Sequence, residues 1–190
     1  MASKEVSKIK QHEVIFRDVD QSTSLECIQM VNNAFNSDKG YNENIDLQKY
    51  VRFTPEIFEE TREKGRILIA FLKATDEMIG SLSISHYMEN IENEMKKIIY
   101  LEAVAVSVNF QKRGVSKLLL LEAERVAKEM KGYAIEGEVF DFADWEVARL
   151  IAETDVKVFD KHKVTKIEFS RIDALKREMM ITKLRKEIEY

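Results

Sequence analysis

Six consecutive residues, Gln111-Lys112-Arg113-Gly114-Val115-Ser116, concentrate the most suggestive chemistry in the 190-residue chain. An apolar run, Ile98 to Val108, precedes them, and a stretch of helical periodicity, Val115 to Met130, follows. A buried strand that turns straight into a helix aims unpaired backbone N–H groups and a positive helix end at one point. Gln111, Lys112 and Arg113 add donors and charge, and Gly114 lets a ligand approach the backbone. Such a turn suits a phosphate or diphosphate. Out of context, the same four residues Gln-Lys-Arg-Gly also read as an ordinary charged helix start.

Other chemistries find little support. No G-x-G-x-x-G follows a strand, Gly132 and Gly137 have the wrong spacing for one, and no Walker A pattern is present. His12, His86 and His162 are isolated, without H-x-x-x-H, H-x-E or C-x-x-C spacing, so no metal site is expected. There is no G-x-S-x-G, and the acid pairs Glu59-Glu60 and Glu92/Glu94 read as solvated faces. Cys27, the single cysteine, lies among Leu25, Ile28, Met30 and Val31 and reads as a buried small residue.

The elements that must hold the turn follow from periodicity. Glu13 to Val19 alternates as a strand, and Ser22 or Ser24 caps a helix to about Phe35 with Leu25, Ile28, Val31, Ala34 and Phe35 inward. Asn36 to Asn44 reads as a polar loop. Thr54-Pro55 starts a helix that ends at Gly65. Arg66 to Lys73 and Met78 to Tyr87 form two antiparallel strands around a short turn, and residues 88 to 97 read as an edge loop. Ile98 to Val108 is the most apolar strand and therefore central. After the Val115–Met130 helix come a strand at Ala134 to Phe140, a short helix near Asp144 to Glu153, and strands at Val156 to Phe159 and Val164 to Phe169. Ile172, Leu175, Met179, Met180, Leu184 and Ile188 then place an apolar stripe on a terminal helix. The order describes a mixed α/β domain with one parallel crossover through the helix after the turn.

Composition sets the class. Hydrophobic residues make up 45% and charged residues 34%, which excludes a disordered tail, a fibre or a disulfide scaffold. Net charge is −4, without the basic field that duplex DNA binding needs, so no nucleic-acid partner is expected. The lone cysteine, the absence of a visible targeting signal and the short apolar runs predict a cytoplasmic protein with no membrane partner. With one proline and no low-complexity linker, the chain reads as one domain over residues 1–170 plus a helix over 171–190.

The turn resembles the [Arg/Gln]-x-x-Gly-x-[Gly/Ala] acyl-CoA signature of the GCN5-related N-acetyltransferases (GNAT), with Ser116 in place of the final Gly or Ala. Leu101-Glu102-Ala103-Val104-Ala105-Val106 looks like that family's central strand, and Leu118 to Leu121 like the start of its next helix. The likeness extends loosely from Glu13 to Phe169 through the order of elements. It implies a mainly antiparallel central sheet flanked by helices and acetyl-CoA as cosubstrate, with no metal. The diphosphate would rest on the backbone amides of residues 112 to 116, and Val104 and Val106 would pair with the pantetheine arm as a strand edge does. Glu102 resembles the position of the family's catalytic glutamate; it also reads as a solvated strand residue.

The resemblance implies acetyl transfer to an amine carried by a small molecule or a peptide. Many family members place a tyrosine acid after the next strand, in a pattern ending Tyr-x-x-x-Gly-Phe. Aligned on Ala148, no tyrosine stands at that position here, and no Gly-Phe follows Thr154-Asp155-Val156. That departure leaves an alternative open: an inactive acyl-CoA-binding or protein-interaction module on the same fold. Acceptor choice falls to residues 35–58, where Tyr41, Tyr50, Phe53 and Phe58 with Asp38, Glu43 and Asp46 make an acidic, aromatic lip suited to a cation. His86 and Tyr87 could face the cleft. Lys161 to Tyr190 is locally basic, with nine Lys or Arg against five acids, and its apolar stripe is expected to pack on the domain or to join two subunits as a homodimer.

Overall fold

The computed structural model describes residues 7–46, 51–141, 155–164, 175 and 178–190. Its strands are β1 (Val14–Asp18), β2 (Arg66–Leu72), β3 (Met78–Ile91), β4 (Glu94–Val106), β5 (Ala134–Phe140), β6 (Lys157–Lys163) and β7 (Met180–Glu187). They form a seven-stranded sheet in the order β1-β2-β3-β4-β5-β7-β6. The helices are α1 (Ser24–Asn36), α2 (Lys39–Asn44), α3 (Pro55–Lys64) and α4 (Val115–Glu129). Every neighbouring pair of strands is antiparallel except β4 and β5, which α4 joins as a crossover. The mixed α/β fold expected from the sequence is therefore the fold observed, with the expected central strand in the middle of the sheet.

Each face of the sheet is covered by the helices whose apolar stripe fits it. On one face Leu118, Leu119, Ala123, Val126 and Ala127 of α4 pack on Leu82, Ile84, Ile99 and Leu101. On the other, Cys27, Ile28 and Val31 of α1 and Phe58 of α3 pack on Ile67, Ile69, Ala103 and Ala105. Leu25, expected inward, is 64% exposed, because it lies on the solvent side of α1. Local chemistry sets the helix starts. Thr54 accepts the Ile57 N–H and Pro55 follows it, while Asp20 accepts the N–H groups of Ser22 and Thr23 ahead of α1.

Three further expectations are corrected. Residues 39–44 are helical, because the Asp38 carboxylate accepts the Tyr41 N–H at 3.0 Å and starts a short turn. Residues 88–97 are no loop: β3 and β4 continue as a long hairpin, turned by Glu92 and Asn93 with φ of 54° and 66°. The described part of the terminal stretch is strand where a helix is expected: residues 180–187 are β7, seated inside the sheet between β5 and β6. An apolar residue every fourth position fits a strand of period two as well as a helix of period 3.6, and the pairing partners decide. Arg185 and Lys183 meet Glu136 and Glu138 of β5 on one face, and Lys186 meets Glu124 of α4 on the other. The expected helix at 144–153 lies outside the described residues, as does most of the strand expected at 164–169.

Candidate functional site

β4 and β5 begin as partners and then part. Their parallel pairing runs from Ile98↔Ala134 to Leu101↔Gly137 and stops, while β4 continues to Val106 and β5 to Phe140. Beyond Leu101, β4 pairs only with β3 among the described residues, so among them its other edge offers backbone donors and acceptors without a strand partner. A bulge lies within this open segment. Between Ser83↔Glu102 and Ser81↔Ala105, two residues of β4 oppose one of β3, and Ala103 takes φ 48°. For a residue with a Cβ that conformation costs roughly 1–2 kcal/mol. It re-aims the strand beside Glu102 and Val104.

The turn stands at the open end of the same strand. Lys112 and Gly114 have φ of 62° and 83°, and left-handed residues in a turn gather successive N–H groups on one concave side. Gly114 is the N-cap of α4 and no side chain caps the helix, so its first amides and positive end remain available. A Cβ built on Gly114 would meet no protein atom within 4 Å, so the turn leaves open space at the backbone. A strand edge in need of partners, a bulge and an uncapped helix start fit a long ligand ending in a diphosphate. The donors at the turn are backbone amides. The Arg113 guanidinium turns away, lying 5.1 Å from the Phe110 ring and donating to the Ser7 carbonyl at 3.3 Å. Gln111 and Lys112 are exposed, Ser116 is half-buried and Val115 anchors the helix in the core.

The sequence model of the Acetyltransferase (GNAT) family matches residues 28–144, well over half the chain. The chain belongs to that family. Solved GNAT structures share the fold at low identity. The Arabidopsis thaliana NAA60 complex with acetyl-CoA has a TM-score of 0.66 at 13% identity, covering 92% of this chain and 99% of that one. A GNAT family acetyltransferase from Elizabethkingia anophelis with acetyl-CoA bound has a TM-score of 0.61 at 12% identity, covering 92% and 98%. The ribosomal-protein-alanine N-acetyltransferase from Brucella melitensis has a TM-score of 0.62 at 16% identity, covering 91% and 99%. No curated protein sequence matches the chain.

In this GNAT sheet Glu102 is exposed on β4, two residues from Tyr100 and level with Ser83, whose buried Oγ has no hydrogen-bond partner. Burial first, and then the nearby Glu138 and Glu102 carboxylates, hold the Tyr100 phenol well above its ordinary range. Tyr100 therefore stays protonated and serves as a donor, bonded to Glu138. Val104 is exposed and Val106 half-buried on the open segment. Tyr87 donates to Glu136 at 2.5 Å, and Glu136 is held in turn by Arg185, which also donates to Glu89 at 2.6 Å. The ring of Phe159 covers the Arg185 guanidinium at 3.9 Å. Tyr100, Glu138, Glu136 and Arg185 escaped the sequence reading; the only local sign was the spacing of acids two apart in β5.

The expected acceptor lip is smaller than its residue list. Phe53 and Phe58 are core residues in edge-to-face contact at 5.3 Å, because the α1 and α3 helices close over them. Asp38 is spent on capping α2 and Glu43 pairs with Lys39 at 3.5 Å. Tyr41 is half-buried between Phe35 and Phe140, and Tyr50 lies outside the described residues. His86 is exposed on β3. Cys27 is fully buried and its thiol is pushed up to about 11, as expected of a core cysteine. Among the described residues, no group of three His, Cys, Asp or Glu side chains could hold a metal, and no helix is long and apolar enough to cross a membrane. The family's tyrosine position falls in residues 142–154, outside the described residues.

Proposed function

We propose that the chain transfers the acetyl group of acetyl-CoA to a primary amine by direct attack. One observation carries the reading: the β4 edge that loses its strand partner after Leu101 leads to the uncapped amino end of α4. Val104 and Val106 would bond the pantetheine arm along that edge, and the amides of residues 112 to 116 would hold the diphosphate. The amine arrives mostly protonated, with an ordinary pKa of about 10.4, and must lose a proton before it can attack. Glu102, exposed on β4, would take that proton, directly or through water. The nitrogen then bonds to the thioester carbonyl carbon. Backbone N–H groups at the bulge near Val104 would stabilise the negative charge gathering on the carbonyl oxygen. The C–S bond breaks, the thiolate leaves, which a thiol of pKa about 8.5 does without a dedicated acid, and it takes up through solvent the proton that the now cationic nitrogen sheds.

Calorimetry with acetyl-CoA on the wild type and on Gly114→Val tests the binding half. The expected result is micromolar binding that weakens at least about thirtyfold in the variant, where a β-branched side chain meets the left-handed turn. Turnover of Glu102→Gln across pH tests the base and should fall about a hundredfold. Unchanged turnover and pH profile would remove Glu102 from that role. Tight binding without turnover on a broad amine and peptide panel would instead support the inactive module, which the missing tyrosine keeps in play.

A further inference from the structure

We propose that a basic groove beside the turn, on the side to which Arg113 points, binds a phosphate monoester. The groove is a cavity of about 650 Å³ between the arm at residues 7–13, the end of β2 and the turn. Its lining includes Lys8, Lys10, Lys73 and Arg113, with His12 beside them and Glu13 as the one carboxylate. The arm is seated by backbone bonds: the Ile9 N–H donates to the Arg113 carbonyl at 2.9 Å, and the Lys73 N–H to the Glu13 carbonyl at 2.9 Å. Ile9 is itself buried in the core under α4. The groove is therefore a built part of the fold.

Among the described residues, its cations form no ion pair. Lys73 donates its ammonium to the His12 carbonyl at 2.8 Å, and Arg113 donates to the Ser7 carbonyl. The Glu13 carboxylate is engaged by the Lys10 backbone N–H at 2.7 Å. No carboxylate pairs with Lys8, Lys10, Lys73 or Arg113 among the described residues. Elsewhere Arg17, Arg62, Arg66, Arg125 and Arg185 each hold an acid. In a chain of net charge −4, four permanent cations converging on one concavity make a focused positive field. Carbonyl acceptors orient the cations without neutralising them, so the groove is poised for a dianion. A monoester phosphate has the charge and the acceptor oxygens to meet several of them. The cavity also has room for a sugar attached to it.

Two sources share this chemistry: the 3′-phosphate at the far end of CoA, an arm that rests on the function proposed above, or a separate phosphorylated ligand. Calorimetry on the full chain separates them, using CoA, 3′-dephospho-CoA and inorganic phosphate as probes. The variants are Lys8→Glu, which breaks no hydrogen bond of the fold, and Lys73→Glu; Lys157→Glu on β6 controls for charge reversal alone. If the groove holds the CoA monoester, the wild type binds CoA about tenfold tighter than 3′-dephospho-CoA. Both groove variants then erase that difference, and the control keeps it. If the ligand is separate, the two nucleotides bind alike, and inorganic phosphate binds with an affinity that the groove variants lower about tenfold. Nucleotides that bind alike, with phosphate binding absent or indifferent to Lys8→Glu and Lys73→Glu, would overturn the proposal. If neither nucleotide binds, the acetyl-CoA reading fails, and the phosphate titration still decides the groove.

Discussion

The two halves of the β4–β5 fork are made of the same two strands and behave as different materials. In the lower half, Ile98 to Leu101 pair with Ala134 to Gly137, and the side chains above them are tied across four strands through Tyr87, Glu136, Arg185 and Glu89. In the upper half, β4 runs on with no strand on that side among the described residues, bends at Ala103 and leads to a turn where no N-cap side chain caps the helix. Among the described residues, polar side chains are paired below, and the β4 edge above has no strand partner. A ligand that supplies a strand-like arm and a diphosphate would complete what the upper half lacks. Stability and binding should therefore respond to different residues, although both halves are built on β4 and β5.

The sharpest break of that division is Glu136→Ala. Glu136 is buried and carries Arg185 and Tyr87 together, so its removal leaves the nearly buried Arg185 guanidinium to Glu89 and frees the Tyr87 hydroxyl. The expected loss is about 2–3 kcal/mol of unfolding free energy in a denaturant titration, because the Glu89 carboxylate still meets the guanidinium. A loss below about 1 kcal/mol would mean that the lower half is not locked by this network. Next in size comes Arg113→Glu. Because the guanidinium faces the Ser7 carbonyl and not the amides of the turn, acetyl-CoA affinity should fall about tenfold, less than for Gly114→Val. A larger fall than Gly114→Val causes would show that the side chain, and not the backbone, holds the diphosphate.

Tyr87→Phe separates the phenol from the ring. The part-exposed ring is kept while the bond to Glu136 goes, at a cost of about 1 kcal/mol. Burial and that bond hold the Tyr87 phenol above its ordinary value of 10.0. A raised folded pKa gives stability that is complete below pH 10.0 and is lost as pH rises beyond it, where the unfolded phenol ionises first. The gap between wild type and Tyr87→Phe in urea melts should accordingly narrow above pH 10.0 and stay constant from neutrality up to it.

What the sequence disclosed follows the same division. Thr54-Pro55 and Gly65 bounded α3 because caps and breakers act within one turn of chain. The 111–116 turn was legible for the same reason: donors, glycine and helix start are neighbours in sequence. Glu92-Asn93 was read inside a loop because an exposed hairpin lacks the apolar alternation that marks a strand, and only its left-handed turn betrays it. β7 read as a helix because residues such as Met180, Leu184 and Ile188 repeat every fourth position, which satisfies both periods. Tyr100 and Glu138 stayed hidden because their meeting depends on the register Tyr100↔Glu136 between strands more than thirty residues apart. Phe53 and Phe58 were assigned to the lip because aromatic residues near a proposed cleft look alike whether buried or exposed.

The smallest effect tests whether β7 is as firmly bound on the α4 face as on the Glu136 face. Lys186 donates to Glu124 of α4 at 3.0 Å, and this bond, ahead of Lys128, holds the Glu124 carboxylate below its ordinary value of 4.5. A lowered folded pKa gives stability that is complete above pH 4.5 and is lost as pH falls through the folded value, because the unfolded chain takes up the proton first. Both side chains are about a quarter exposed, so solvent screening limits the pair to roughly 0.5 kcal/mol. Lys186→Met keeps the stem that packs along the strand and removes only the charge. Its urea melts should lie about 0.5 kcal/mol below wild type at pH 7 and converge with it below pH 4.5. A deficit that persisted in acid would assign the loss to packing and leave the pair no electrostatic part in holding β7. Convergence would give the pair its roughly 0.5 kcal/mol share in holding β7, small beside that of the Glu136 face, where the paired half of the fork is locked.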